Sequence, residues 1–254
     1  MVSFMVFVFG LAVGSFLHSV AWRMEQEHTA LRGRSYCASC KHTLSWQDLI
    51  PLVSFLILAG RCRYCKARIS FEHPLSELAM GIVFLLVFWR IAPEDPRGVL
   101  SVLYAWAMAA FFMVIFFYDL RNYLIPDKIL YPAILVSGIW YFASGAFSLH
   151  ILASALGAAA FFFTIYALSK GKWMGFGDVK LAFLLGLFLG WPSILVALFS
   201  AFCLGAVAGL VLVVCKKKGL RSEVPFAPFL IAGTAIAFFF GPNIVSWYLG
   251  LFLV

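Results

Sequence analysis

Charge is scarce along this chain. Only 12% of its 254 residues are charged, eleven of them acidic, while 64% are hydrophobic and the mean hydropathy is +0.99. A water-soluble domain of this size has too little interior to hide so much apolar surface, which excludes that class. A bilayer accepts it, because a hydrocarbon core of about 30 Å takes helices of roughly 20 apolar residues whose backbone groups bond internally. The expected fold is therefore an all-α polytopic membrane protein. No nucleotide-binding fingerprint and no internal repeat are visible. The first apolar run lacks a basic leading region and a small-residue cleavage site, so it is expected to stay as a helix rather than be removed as a signal peptide. The net charge of +8 would suit nucleic acid, but the basic residues lie at segment borders and in loops, where they set topology. No nucleic-acid partner is expected.

The runs predict about eight spans. The first covers residues 1–22 and ends before Arg23, and residues 23–73 form a polar, basic, cysteine-bearing loop. Spans then follow near 74–89, 98–118, 129–143 and 148–169, with the fourth short. The 35 uncharged residues from Leu181 to Cys215 would reach about 52 Å as one helix, too long for one crossing. Gly190-Trp191-Pro192 breaks them into a short sixth span and a seventh from Ser193 to Val214, with Cys203 and Cys215 expected to pack. An eighth runs from Pro228 to Val254, with a kink expected at Gly241-Pro242. Seventeen of the nineteen Lys and Arg residues fall in the alternate loops 23–73, 119–128, 170–180 and 216–221, leaving Arg90 and Arg97 on the other side. Those four loops are thus expected in the cytoplasm.

The loop carries Cys37-Ala-Ser-Cys40 and, after twenty-one residues, Cys62-Arg-Tyr-Cys65. Paired thiolates at this spacing suit a closed structural zinc site of the ribbon type. Disulfides are the alternative, but they persist poorly in a cytoplasmic loop. Lys41, Arg61, Arg63 and Lys66 would offset the negative charge of a four-thiolate centre. His28, His42 and His73 are expected at the surface.

The acids are too few to be casual, since a carboxylate near lipid is costly without a function or a partner. Asp119 closes the apolar run 99–118, and Asp178 precedes the run from Leu181 within Gly175-Phe-Gly-Asp-Val-Lys180. An out-and-back helix pair separates them and can bring them face to face, giving an aspartic-protease pair with one base for water and one acid for the departing amine. The alternative is that they are helix-end caps or partners of Arg121, Lys128 and Lys180. Gly175 and Gly177 permit positive φ and close approach of a substrate strand to the loop holding Asp178.

Several segments together resemble the bacterial type 4 prepilin peptidase family of Gly-x-Gly-Asp aspartic proteases. They are Gly14-Ser-Phe-Leu-His-Ser-Val-Ala-Trp-Arg23, the cysteine pairs with Leu44-Ser-Trp46, Ile50-Pro51 and Gly60-Arg-Cys62, His73-Pro-Leu-Ser-Glu-Leu78, Asp119-Leu-Arg121, Leu124-Ile-Pro-Asp127, Gly175-Phe-Gly-Asp-Val-Lys-Leu181 and Pro225-Phe-Ala-Pro-Phe229. The family usually has Asn where His18 stands. The resemblance implies that Asp119 and Asp178 are catalytic and that Asp127 is structural or a cap. It implies three parts: a first transmembrane helix at 1–22, a four-cysteine loop at 23–73 and a protease core at 74–254.

It also implies prepilin or pseudopilin substrates cut at the cytoplasmic face of the bacterial inner membrane. N-methylation from S-adenosylmethionine is then expected, with Gly60 as a weak candidate for that step or simply a turn. Glu77 matches a recurrent family acid or is a solvated helix-start carboxylate. A peptidase without methyl transfer, a transporter and a membrane-anchored zinc adaptor are the other readings. A transporter leaves the cysteines unexplained, and an adaptor leaves the two aspartates without purpose.

Overall fold

A computed structural model describes residues 1–25, 35–91, 96–215 and 224–251. His28 and the basic run 216–221 lie outside them. Every expected span is a helix. α1 is Val2–Glu25, α2 is a short piece at Val53–Ile57 within the loop, and α3 is Glu72–Ile91. They are followed by α4 (Pro96–Asn122), α5 (Asp127–Ala143), α6 (Leu149–Ser169), α7 (Phe176–Leu189), α8 (Ser193–Val214) and α9 (Ala227–Gly250). The described residues contain no strand, only two isolated bridges, Tyr36 with Thr43 and Arg61 with Arg68. α1, α3, α4, α6, α8 and α9 are each long and apolar enough to cross a membrane, making this a multi-pass membrane protein. α5 has 17 residues and α7 has 14, so of the eight expected spans two fall short of that length.

The chain divides into two compact units, Met1–Phe117 and Tyr118–Val254. In the first, α1 packs antiparallel on α3 at very close range. A Cβ at Gly14 would lie 2.7 Å from the Ser76 carbonyl oxygen, and one at Gly10 would lie 2.8 Å from Gly81 Cα. Small residues four apart allow this approach, which gives helices in lipid the van der Waals contact that holds them together. Phe84 of α3 stacks on Trp106 of α4, whose indole N–H donates to the Phe84 carbonyl at 3.0 Å.

In the second unit α7 is the hub. Leu181, Ala182, Leu184 and Leu185 are fully buried, and α7 packs on α5, α6, α8 and α9. A helix apolar on all sides suits such an interior position, and this one can be shorter than the roughly 30 Å hydrocarbon layer because protein surrounds it. Gly186 lets α6 approach, since a Cβ there would lie 2.5 Å from Ala155 Cα. The break expected at Gly190-Trp191-Pro192 separates α7 from α8, and Gly190 takes a positive φ of 66°. α9 runs through Pro242 as a single helix. Cys203 and Cys215, expected to pack, are instead exposed. Faces turned to lipid and faces turned inward are equally apolar, so hydropathy does not orient such residues.

Candidate functional site

The four loop cysteines converge. Their sulfurs all lie within 4.8 Å of one another, and Cys37 and Cys65 are 3.8 Å apart. Four bonds of about 2.3 Å to a tetrahedral zinc ion place sulfurs roughly 3.8 Å apart, so the donor set fits such an ion. All four are free thiols rather than disulfides.

Each knuckle is built from the same turn. Cys37 N–H donates to the His42 carbonyl and Lys41 N–H to the Cys37 carbonyl; 25 residues on, Cys62 donates to Ala67 and Lys66 to Cys62. The outer pairs match too, Leu44 to Ser35 and Ile69 to Gly60, and Lys41 and Lys66 both have positive φ. The loop thus holds a short structural repeat, whereas none was visible in the sequence, because only the cysteines and one lysine of each turn coincide. The Cys37 thiol is lowered to about 6, first by the Cys40 backbone N–H, which favours its thiolate.

Asp48 ties the knuckles together. It accepts from Arg63 Nε at 2.7 Å, Ser45 Oγ at 2.9 Å, Ser45 N–H at 3.1 Å and Tyr64 OH at 3.2 Å. His42 is exposed as expected, with its ring on Tyr64 at 3.7 Å between centroids. His73 is exposed as well, but its ring also meets the buried His18 at 4.2 Å. Gly60 has a positive φ of 69° directly before the second knuckle, which a turn requires. Glu77 is buried and accepts from Leu52 N–H at 2.8 Å, so it is not a solvated helix-start acid.

In the second unit the structure brings Asp119 and Asp178 within electrostatic reach of each other. Asp119 sits in the last turn of α4 with 4% of its surface exposed. Asp178 is half-buried in the first turn of α7 and accepts from the Gly175 backbone N–H. A third element joins them. The Ala227 backbone N–H, at the first residue of α9, hydrogen-bonds the Asp119 carboxylate. Asp119 Oδ2 is buried with no hydrogen-bond partner among the described residues. Buried polar atoms are nearly always paired, so an orphan oxygen beside a second carboxylate is an exception that calls for an explanation.

Gly175 caps α7 in extended conformation and Gly177 lies in its first turn, so neither uses the positive φ expected of them. Gly177 serves close packing instead, since a Cβ there would lie 3.1 Å from Ile125. Asp127 opens α5 and pairs with Lys180 of α7, fastening the start of one helix to the other. Ala227 went unrecognised as part of the site. Its signal was Pro228 at the second helical position, which marks a helix start whose free amides can face an anion.

Comparison with known proteins places the chain among its relatives. Residues 8–91 match the bacterial peptidase A24 N-terminal domain, and residues 106–210 match the type IV leader peptidase family. A prepilin leader peptidase/N-methyltransferase of Bacillus subtilis (strain 168) is 32% identical over 98% of each chain. Proteins of the same name are similar in Aeromonas hydrophila (31%, covering 98% of this chain and 94% of that one) and Stutzerimonas stutzeri (30%, 95% and 92%). No solved structure matches. Carrying both domains and aligning with these relatives end to end, the chain belongs to the type IV leader peptidase family.

Proposed function

We propose that this protein cleaves the leader from prepilins or pseudopilins with Asp119 and Asp178 as its catalytic pair. The observation that carries this reading is the meeting of two carboxylates from α4 and α7, one of them bonded by the first amide of α9, with one buried oxygen unpaired. One carboxylate takes a proton from water as it attacks the scissile carbonyl, and the other gives a proton to the departing amine. The Ala227 N–H keeps the Asp119 carboxylate oriented. Gly175 adds no side chain over Asp178, which leaves room for an extended substrate strand. The charge asymmetry of the loops supports a site at the cytoplasmic face of the inner membrane.

The division of labour proposed is a first transmembrane helix at 1–22, a metal lobe at 23–73 and a protease core at 74–254. Zinc is the ion proposed for Cys37, Cys40, Cys62 and Cys65, in a structural role, because four thiolates leave no open position for a reacting water. Methylation of the new amino terminus is proposed as a second activity, for which S-adenosylmethionine would supply the methyl group. Gly60 remains the weak candidate on this chain for that step.

Incubating purified protein with a prepilin and isotopically labelled S-adenosylmethionine, then weighing the pilin, tests both activities. Loss of the leader with a labelled methyl group is expected. A pilin of unchanged mass would overturn the peptidase reading, and leader loss without label would confine the protein to proteolysis.

A further inference from the structure

The loop at 23–73 reads as polar, yet its middle is not. Trp46 is 72% exposed, Leu56 and Ile57 are each 74% exposed, and Leu49, Ile50 and Val53 are exposed beside them. These side chains lie at helical spacing, 46, 49 and 50 and then 53, 56 and 57, on the 3₁₀ turn Trp46–Leu49 and α2, which pack on each other. On a water-facing lobe such a cluster would be a liability, since contiguous apolar surface of this kind marks an interaction site.

A hydrogen bond fixes where this segment sits along α3. Leu52 N–H, at the start of α2, donates to Glu77 Oε2. Glu77 lies five residues inside α3, or about 7 Å along its axis. α3 itself, at 20 residues, is about 30 Å long and matches the hydrocarbon layer with nothing to spare. α2 is therefore held level with the first turns of α3, where a 20-residue span would enter a membrane. Phe55 packs edge-on against Phe71 at 5.4 Å, and Phe71 and Leu75 are themselves exposed at the same level. The apolar face of α2 is thus continuous with the outer face of a spanning helix. Lys41, Arg61, Arg63, Lys66 and Arg68 are all exposed on the knuckles beside it. An apolar face next to clustered cations is the pattern by which segments lie in a bilayer interface and meet anionic headgroups.

We propose that Trp46–Ile57 is an interfacial anchor, lying in the bilayer surface at the Glu72 end of α3 and seating the cysteine knuckles on the lipid headgroups. The anchor is independent of the catalytic reading, because all its residues and contacts lie within the first unit. Its occupant is lipid, and a protein partner is the competing outcome.

A benzophenone amino acid placed at Leu56 or Ile57 of the full chain, in vesicles of phosphatidylethanolamine and phosphatidylglycerol, reports the neighbour directly on illumination. Lipid adducts roughly tenfold more abundant than from the same probe at Ser39 are expected for an immersed face. Adducts no more frequent than at Ser39, or adducts mainly to protein, would overturn the anchor. Metal content of each probe-bearing protein verifies that the lobe is folded. The fluorescence difference between wild type and W46F gives a second readout. Quenching by bromine-labelled acyl chains supports the anchor, and quenching by aqueous iodide alone refutes it.

Discussion

The cysteine lobe and the aspartate pair reach convergence by opposite means. The lobe assembles its donors from two local turns with the same hydrogen bonds, offset by 25 residues, and stitches them together through Asp48. The aspartates come from helices far apart in sequence, Asp178 on the tightly packed α7 and Asp119 at the end of α4, where the α9 amide of Ala227 bonds it. Local turns without a metal have little holding them, whereas packed helices hold their geometry without one. The two sites should therefore fail separately, each through the force that built it.

The largest separation is expected from the metal. Replacing Cys37 and Cys40 with Ser should abolish metal binding, measured by elemental analysis, and remove stabilisation of the lobe on the order of 10 kcal/mol. The helical content of the membrane bundle, read by circular dichroism, should persist. Collapse of both together would mean that one cooperative structure had been mistaken for two.

Asp119→Asn or Asp178→Asn should act in reverse. Either should cut leader cleavage by about 10²–10⁴-fold, the usual contribution of a positioned acid or base, while metal content stays at the wild-type value. Cleavage at the wild-type rate by either variant, at normal membrane abundance, would remove the aspartates from the mechanism. A smaller effect is expected from Gly186→Val. The nearest atoms to a Cβ there are backbone atoms of α6, at 2.5 to 2.8 Å. Forcing them apart should cost about 1–3 kcal/mol in thermal unfolding. Because α7 carries Asp178, cleavage should fall with it while the lobe keeps its metal.

How much of this was legible in the sequence follows from the same contrast. Bilayer thickness sets helix length, so the spans were readable to within a few residues, including the break at Gly190. The cysteine spacing disclosed the four-sulfur cluster. The two aspartates stood out because carboxylates at the ends of apolar runs are rare. What stayed hidden depends on rotation or on pieces too short to show a period. The exposure of Cys203 and the burial of Glu77 are questions of which way a helix faces, and hydropathy is silent on that in lipid. α2, with five residues, completes barely more than one turn. The Ala227 amide is a backbone group, invisible to any reading of side chains.

The subtlest test of the comparison lies inside the lobe. Burial alone would raise the Asp48 carboxyl, but the bonds from Arg63, Ser45 and Tyr64 outweigh it and bring it down to about 2. The folded carboxyl is therefore more acidic than the unfolded one, whose ordinary value is about 3.9. Its stabilising contribution is fully present above that value and is lost as pH falls through about 2. Asp48→Asn preserves the shape of the side chain but removes the charge that holds Arg63. At neutral pH the variant should lose its metal to a chelator severalfold faster than wild type. The ratio of the two rates should then shrink towards one only as pH falls through about 2, where the folded wild-type carboxyl itself protonates. A ratio that stays constant with pH would show that Asp48 acts through shape and hydrogen bonding, and that the tie between the knuckles does not depend on its charge.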